Sequence, residues 1–189
     1  MTVATRTLVV DDELRLVPRN PSDAPEMFAV VDRNRAALHE WISWVDATKT
    51  VQDARRYAHF AESQFEQQVG FDYALRRHGT IAGAIGLYDV DWVSRNGQIG
   101  YWLAPEARGQ GLMTRACEAL TRYAFAGLAL HRLEIRCVVE NHKSRAIPER
   151  LGYRFEGILH QAYLLHQRFR DMALYAALSP TWKAREVPH

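Results

Sequence analysis

A short loop with two glycines is the part of this sequence whose residue types most clearly suggest chemistry. It follows a strand-length apolar run, Gln98–Leu103, which Pro105 ends, and it precedes a helical pattern that begins at Leu112. Gly109 and Gly111 release the loop from the steric limits that a Cβ imposes. A helix N-terminus offers unpaired backbone N–H groups and the positive end of the helix dipole. The stretch therefore predicts an anion site, and phosphate is a common anion at such a site.

Two common phosphate motifs can be compared with this loop. The P-loop requires Gly-Lys-Ser/Thr, whereas Leu112 follows Gly111, so that motif is excluded. The dinucleotide-binding fingerprint fits in part, with Gly109 and Gly111 in place and Glu134 downstream in the next predicted strand. Its third glycine is replaced by Thr114, and the segments upstream look like hairpins rather than repeated βαβ units. A nucleotide-binding oxidoreductase therefore remains an alternative.

Three segments in the right order carry a more specific resemblance. The loop Arg108–Met113 resembles the Gln/Arg-x-x-Gly-x-Gly/Ala loop of the GNAT superfamily of N-acetyltransferases, which cradles the pyrophosphate of acetyl-coenzyme A, although Met113 departs from the last position. Asn141–Ser144 resembles the family's Asn-x-x-Ser segment, and Leu151–Tyr153 resembles its Leu-Gly-Phe/Tyr ending. With Ile99–Leu103 before the loop, the chain is identified as a member of the RimJ/RimL-type branch, which acetylates protein N-termini, notably those of ribosomal proteins.

The resemblance implies an enzyme with acetyl-CoA as co-substrate and no metal. The pantetheine arm would pair with the backbone of Tyr101–Leu103, and an N–H near Leu103 would meet the thioester carbonyl oxygen as it gains charge. The diphosphate would lie on the loop and the first turn of the next helix, where Arg108 and Arg115 add positive charge. The residues expected to bind the co-substrate are Tyr101, Trp102, Leu103, Arg108, Gly109, Gln110, Gly111, Leu112, Met113, Thr114, Asn141 and Ser144.

The proton-transfer groups are where the sequence departs from the resembling family. Many relatives have a tyrosine acid where this chain has Pro148, and some N-terminal acetyltransferases have a glutamate base where it has Arg136. The RimJ/RimL-like pattern places Ser144 near the thioester sulfur, so Ser144 is the hypothesised proton donor to the leaving thiolate, with a helix cap as its alternative role. Glu134 and Tyr163 are the other catalytic candidates, and a solvated strand face is the alternative for Glu134.

The remaining reactive side chains are interpreted as structural. Cys137 is expected to be a packed core thiol, which favours direct acyl transfer over a covalent intermediate. Asp72 and Asp89 are interpreted as charges at strand ends. Cys117 and Cys137 fit no disulfide or metal-ligand pattern, and the eight histidines have no ligand spacing, so no metal site is predicted.

Trp41 and Trp44 form an aromatic segment that either packs in the core or walls the acceptor groove, and the resemblance favours the wall. The acceptor is expected to be the α-amine of a protein or peptide, with a ribosomal protein as one candidate. An α-amine has a reference pKa of about 7.7–8.0, against about 10.4 for lysine, so a site without a strong base can use it. A small-molecule amine or polyamine as acceptor, and a coenzyme-A-binding module without turnover, are the alternatives.

The composition indicates an ordinary globular protein. The 189 residues are expected to form one acetyltransferase domain, 1–189, with a core of about 14–178 and a loosely held tail at 181–189. A net charge of +2 does not favour nucleic acid as a partner. There is no signal peptide and no apolar run of membrane-spanning length, so a cytoplasmic protein without membrane contact is expected. A homodimer is one of the oligomeric states left open.

Hydrophobic periodicity and turn residues give the elements that must position these groups. They predict an α/β acetyltransferase fold: a mixed, mostly antiparallel sheet with one βαβ crossover and helices on both faces. Asn96-Gly97 is the strongest hairpin signal, and Thr50-x-x-Asp53 reads as a capping box. The predicted strands are Leu14–Val17, Phe71–Arg77, Thr80–Asp91, Gln98–Leu103, Leu133–Val139, Ile158–His166 and Met172–Leu178. Helices are predicted to begin near Ser22 or Asp23, after Thr50, at Leu112 and after Asn141.

Overall fold

One eight-stranded sheet organises residues 7–183, the part of the chain that the computed structural model describes. Its strand order is β1-β2-β3-β4-β5-β6-β8-β7. The strands are β1 (Leu8–Val9), β2 (Leu14–Pro18), β3 (Phe71–Arg77), β4 (Thr80–Asp91), β5 (Asn96–Leu103), β6 (Arg132–Val138), β7 (Arg154–Leu165) and β8 (Arg168–Leu178).

Side-chain caps mark the start of the two helices that follow Thr50 and Asn141. Thr50 accepts a hydrogen bond from the Asp53 N–H (3.2 Å) and the Asp53 carboxylate accepts one from the Thr50 N–H (2.8 Å), which confirms the capping box. No helix within residues 7–183 combines the length and the apolar character needed to cross a membrane. The helices are α1 (Ala24–Arg33), α2 (Arg35–His39), α3 (Val51–Glu66), α4 (Leu112–Arg122) and α5 (His142–Arg150), with 3₁₀ turns at Pro21–Asp23, Ser43–Asp46 and Pro105–Ala107 and a π-helical turn at Tyr123–Gly127.

The topology agrees with the predicted acetyltransferase fold. Every neighbouring pair of strands is antiparallel except β5 and β6, which are parallel and are joined by the crossover helix α4. Parallel neighbours require such a crossover, because a tight turn can only join antiparallel strands. This arrangement disfavours the doubly wound sheet of a nucleotide-binding oxidoreductase.

Helices cover both faces of the sheet, as predicted. We call the face covered by α4 and α5 the α4 face, and the opposite face, covered by α1 and α3, the α1 face. Side chains alternate between the two faces along each strand, so both can be apolar. Packed on the α4 face are Leu112, Cys117, Leu120, Leu133, Ile135 and Ile147. Packed on the α1 face are Met27, Val30, Ala74 and Ile81.

The turn between β4 and β5 lies earlier in the chain than predicted. Asn96 and Gly97 belong to β5, and residues 92–95 make the turn. The Asp91 carboxylate accepts hydrogen bonds from the N–H groups of Val93 (2.8 Å) and Ser94 (3.1 Å), and this side chain organises the turn. Gly97 instead serves packing, because a Cβ there would lie 2.8 Å from the Leu87 Cδ1 atom.

Asp72 is not the strand-end charge that the sequence suggested. Only 5% of its surface is exposed, and the Tyr57 hydroxyl donates a 2.6 Å hydrogen bond to its Oδ2 atom. Its other carboxylate oxygen has no hydrogen-bond partner among the described residues. Burial raises the pKa of the Asp72 carboxyl, against the opposing effects of Arg19 and the Tyr57 hydrogen bond. Asp89, by contrast, is exposed as expected.

The C-terminal segment is better anchored than predicted, as far as it is described. The expected tail starts at Thr181, yet the Trp182 indole donates a 3.0 Å hydrogen bond to the Leu151 carbonyl oxygen. The same indole meets the Phe125 ring edge-on, with 5.7 Å between the ring centroids. The rest of the expected tail, residues 184–189, lies outside the described residues.

The buried carboxylate gives a test of stability against pH. Because burial raises the folded-state pKa of Asp72, its contribution to stability is fully present below the unfolded pKa of about 3.9 and is lost as the pH rises through the folded pKa. Because asparagine does not ionise, Asp72→Asn removes this loss of stability at higher pH. We expect the free energy of unfolding of the variant, minus that of the wild type, to become more positive between about pH 4, near the unfolded pKa, and about pH 8.

Urea denaturation at the two pH values measures this difference. Asp89→Asn makes the same substitution at an exposed aspartate of the neighbouring strand β4 and is the control for loss of a carboxylate at the surface. An Asp72→Asn difference that is equal at both pH values would contradict the argument.

Candidate active site

The separation of β5 from β6 leaves two strand edges facing each other across a cleft. The last pair that joins them is Ile99 with Ile135. Beyond it, β5 stays paired with β4 through Leu103, and β6 stays paired with β8 through Val138. The backbone of Gly100–Leu103 on its β6 side is therefore available to an extended ligand, which can pair with it like an added strand.

The glycine loop before α4 has the form that the sequence predicts. Gly109 and Gly111 have φ angles of +79° and +71°, the left-handed conformation that favours glycine, and Gly111 is the N-cap of α4. The side chains of Leu112, Met113 and Thr114 are buried and anchor the first turn of α4. These residues can therefore offer an anion their backbone N–H groups rather than their side chains. A Cβ built at either glycine meets nothing within 4 Å, so an anion has open space above the loop.

Two side chains of the loop are held by their neighbours. Arg108 donates a 3.3 Å hydrogen bond from Nε to the Leu103 carbonyl oxygen, which ties the loop to the end of β5. The Gln110 amide accepts a hydrogen bond from Arg77 and donates one to the Glu106 carbonyl oxygen (3.4 Å). These contacts fix the shape of the loop around its two glycines.

Arg115 was predicted to add positive charge at the anion site, but its side chain is paired with carboxylates elsewhere. Its guanidinium binds the carboxylates of Asp11 (2.5 Å) and Glu13 (2.6 Å). Hydrogen bonds from Arg115 and Arg77 lower the pKa of Glu13 to about 2. Arg115 thus holds the β1–β2 connection against α4, and its charge is already balanced by two carboxylates.

Tyr101, Ser144 and Cys137 meet on the α4 face of the cleft. The Tyr101 hydroxyl donates a 3.0 Å hydrogen bond to the Ser144 carbonyl oxygen. The Ser144 hydroxyl lies 3.5 Å from the Tyr101 hydroxyl and 3.3 Å from the Cys137 sulfur. In a regular helix the Ser144 carbonyl would accept the N–H of residue 148, but Pro148 has none. The Tyr101 phenol supplies the missing donor.

Sequence reasoning placed Tyr101 in the site through its backbone and missed its phenol. The available signal was Pro148, which leaves a carbonyl one helical turn earlier without a donor. Burial raises the pKa of Tyr101 well above its usual value, with Cys137 and Cys117 adding to the effect, so the phenol keeps its proton at neutral pH. Ser144 is not the helix cap, because the Asn141 side chain accepts the Ser144 N–H (3.1 Å) in that role.

Cys137 has the features of a packed thiol. It is only 4% exposed, and burial raises its pKa, although hydrogen bonds from Ser144 and Tyr101 act in the opposite direction. A thiol of raised pKa is a poor nucleophile at neutral pH because the thiolate is the reactive form.

Two tryptophans mark the α1 face of the cleft. The rings of Trp44 and Trp102 meet edge-on with 6.0 Å between their centroids, and Trp102 packs against Val31 and Leu38. Trp102 was assigned to the co-substrate, yet its side chain lies on the opposite side of the sheet from Tyr101. Trp41 is half-buried at the end of α2, where its N–H bonds the Leu38 carbonyl oxygen (3.1 Å).

Glu134 is poorly suited to act as a base. Its two carboxylate oxygens bind Arg132 (2.9 Å) and Arg136 (2.8 Å). Burial alone would raise the pKa of Glu134, but hydrogen bonds from Arg136 and Arg132 outweigh burial and lower it. The carboxylate therefore has little tendency to take a proton at neutral pH.

The Tyr163 hydroxyl is occupied by a contact between two elements. It lies 3.2 Å from the Ser43 N–H, from which it accepts a hydrogen bond, and 3.0 Å from the Ser43 hydroxyl. Ser43 begins the 3₁₀ turn that also carries Trp44. Tyr163 thus ties the β7–β8 hairpin to the aromatic segment.

Comparison with known proteins agrees with this geometry. The family model described as "Acetyltransferase (GNAT) domain" matches residues 13–154. The chain belongs to the GNAT acetyltransferase family. This GNAT protein is therefore an N-acetyltransferase with acetyl-CoA as its co-substrate, and the reaction of the family needs no metal.

Individual relatives of this acetyltransferase carry related names. The "Putative ribosomal N-acetyltransferase YdaF" of Bacillus subtilis is 30% identical over 182 residues, covering 95% of this chain and 99% of that protein. The "Spermidine N(1)-acetyltransferase" of Escherichia coli K12 is 31% identical over 99 residues, about half of each chain (52% and 53%). The solved structure of RimL, a "Ribosomal L7/L12 alpha-N-protein acetyltransferase" in complex with coenzyme A, shares the fold with a TM-score of 0.88 at 24% identity, covering 92% of this chain and 98% of that one.

The left-handed loop gives a test of co-substrate binding. Gly111→Val places a β-branched side chain at a φ of +71°, where it is strained, and sets its bulk over the N–H groups of the first α4 turn. We expect acetyl-CoA affinity to fall by at least about tenfold, a loss of about 1.4 kcal/mol. Isothermal titration calorimetry measures the affinity.

Gly152→Val is the matched control. Gly152 has a φ of +72° and likewise has nothing within 4 Å of a built Cβ, but it follows α5 rather than the loop. The control variant is expected to have the same backbone strain and to keep the acetyl-CoA affinity of the wild type. If a folded Gly111→Val variant binds acetyl-CoA as tightly as the wild type, the loop is not part of the binding site.

Proposed function

We propose that this acetyltransferase transfers the acetyl group directly from acetyl-CoA to the N-terminal α-amine of a protein or peptide. The observation that carries the proposal is the two-sided cleft. On the α4 face it has the glycine loop and the Tyr101–Ser144 pair, and on the α1 face it has the Trp44–Trp102 wall. A donor on one face and an acceptor on the other would meet between the strand edges.

The donor side is assigned as follows. The diphosphate lies on the backbone of the loop that Gly109 and Gly111 shape, and the pantetheine arm pairs with the free edge of Gly100–Leu103. The thioester sulfur then lies near Ser144 and Cys137. The coenzyme A in the RimL structure is joined to a cysteine of that enzyme by a disulfide, which supports a cysteine close to the sulfur.

The reaction needs one proton removed and one supplied. The amine nitrogen attacks the thioester carbonyl carbon, the new N–C bond forms as the C–S bond breaks, and the nitrogen loses a proton. The departing thiolate gains one, and the hydroxyls of Ser144 and Tyr101, 3.5 Å apart, are placed to supply it. Because the pKa of Tyr101 is raised, its proton is present at neutral pH. The buried thiol of Cys137 supports direct transfer over a covalent intermediate.

The acceptor class follows from the weakness of the available base. Glu134 is held by two arginines, and its lowered pKa makes it a poor proton acceptor. An α-amine, with a reference pKa of about 7.7–8.0, is already partly deprotonated at neutral pH, so that solvent can complete the task. The names of YdaF and RimL support a ribosomal protein as acceptor, which would place the enzyme in the cytoplasm. A polyamine is the second candidate, since the chain shares about half its length with a spermidine acetyltransferase.

The proton donor can be tested with two variants and their combination. Ser144→Ala and Tyr101→Phe each remove one hydroxyl, and each is expected to lower kcat by about tenfold to a hundredfold with little change in acetyl-CoA affinity. Because the hydroxyls act as one unit, the double variant should lose less than the product of the single losses. Steady-state kinetics measures these values.

Two results would overturn this assignment. An unchanged kcat in both single variants would mean that the proton comes from solvent. A loss of acetyl-CoA affinity that matches the loss of kcat would mean that the hydroxyls bind the co-substrate rather than protonate the thiolate.

The acceptor class is tested with a panel of amines. Short peptides with a free N-terminus are expected to exceed both spermidine and N-terminally blocked, lysine-containing peptides in kcat/KM by about a hundredfold or more. Glu134→Gln is the companion variant and is expected to change kcat/KM by less than about twofold. A preference for spermidine, or a large loss in Glu134→Gln, would contradict the proposed acceptor and base.

A further inference from the structure

Arg136 lies at the point where β5 and β6 separate, and no step of the proposed reaction uses it. The last pair between the two strands is Ile99 with Ile135, so Arg136 is the first residue of β6 beyond the split. The side chain of Ile135 packs on the α4 face. Because side chains alternate along a strand, the side chain of Arg136 projects from the α1 face, the side of the cleft that carries the Trp44–Trp102 wall.

The surface beside Arg136 is open. On β5 the residue across the split is Gly100, which follows Ile99 and has no side chain to cover the guanidinium. The helices of this face stop short of Arg136, because α1 packs against β4 and α3 against β3, on the far side of β5. The Arg136 side chain is accordingly 42% exposed. The next side chain of β5 on this face is Trp102, so an extended chain in the cleft would lie between that ring and Arg136.

The guanidinium of Arg136 is held along one edge. Its Nε atom and one terminal nitrogen donate hydrogen bonds to the Glu134 Oε2 atom, at 3.2 and 2.8 Å. The other terminal nitrogen has no hydrogen-bond partner within residues 7–183. An arginine presents five N–H donors in a planar fork, so the edge formed by the two terminal nitrogens can bind a second carboxylate. The contact with Glu134 fixes the direction of that edge before any ligand binds.

The charge of Arg136 is less compensated than that of its neighbour on the same face, Arg132. Arg132 is paired with two carboxylates, those of Glu134 (2.9 Å) and Glu156 (2.5 Å). Arg136 shares Glu134 with Arg132 and has no second carboxylate partner in the described part of the chain. The positive charge at the split is therefore chiefly that of Arg136. It attracts an anionic group in the cleft and repels a polycation.

We propose that Arg136 selects acceptor peptides with a carboxylate side chain at their second or third residue. The inference rests on the proposed function, because the α-amine must lie at the split for the following residues to meet Arg136. Each residue of an extended peptide spans about 3.3 Å, so the second and third side chains lie within about 7 Å of the amine along the chain. The carboxylate pairs with the guanidinium edge in the bidentate manner. This contact is remote from the reacting atoms, so it strengthens binding rather than the chemical step.

Steady-state kinetics with a matched set of peptides tests the proposal. The peptides share a free N-terminal residue and differ only at the second or the third position, where they carry Glu, Gln or Lys. The wild type is expected to prefer Glu over Gln by about threefold to tenfold in kcat/KM at one of these positions, mainly through KM, and to disfavour Lys. Because Arg136 is exposed, the preference should shrink as the salt concentration rises.

Two variants and a control assign the preference to Arg136. Arg136→Gln is expected to bring the ratio of kcat/KM between the Glu and Gln peptides to about one, and Arg136→Glu is expected to favour Lys. Each ratio is taken within one enzyme, so a general loss of activity cancels. Arg154→Gln is the matched control and should keep the wild-type ratio. Arg154 is an exposed arginine on the same face, opposite Ala176 of β8, and its strand β7 lies two strands away from β6.

Failure of this inference can be told apart from failure of the proposed function. Acetylation of the peptides without a preference for Glu over Gln, or a preference that persists in Arg136→Gln, would overturn the inference and leave the proposed function in place. If no peptide with a free N-terminus is acetylated, the proposed function is wrong, and the role of Arg136 is wrong with it.

Discussion

The end of the parallel pairing between β5 and β6 is the constraint on which the site depends. Once Ile99 and Ile135 have paired, the strands separate, and each keeps only its outer partner. Because a parallel pair requires a crossover, the helix that follows β5 must begin near the carboxyl end of that strand. The topology therefore places the positive N-terminal end of α4 at the open end of the cleft. The loop residues have only to shape the backbone that leads into this helix.

Local signals predicted most of the fold, because they depend on residues close together in the chain. The Thr50–Asp53 capping box, the start of α4 at Leu112 and the bounds of β3 and β4 all follow from short spacings. The Asn96-Gly97 turn was misplaced because the Asp91 side chain stabilises an earlier turn. The burial of Asp72 was missed because its partner Tyr57 lies on another element.

The candidate site was predicted in outline, but its side-chain network was not. Gly109 and Gly111 were found because a left-handed loop before a helix has a compositional signature. The Tyr101–Ser144 contact spans 43 residues and has no such signature. Arg115 was misread for a related reason, since its carboxylates come from a connection about a hundred residues earlier. With Arg115 and Arg108 engaged in protein contacts, the proposed diphosphate site would attract its ligand chiefly through backbone N–H groups.

Pro148 links two positions that are far apart in the sequence. A residue with an N–H at position 148 would donate to the Ser144 carbonyl and displace the Tyr101 hydroxyl from it. The proline at position 148 therefore decides where the hydroxyl proton of Tyr101 points, although the two residues belong to different elements.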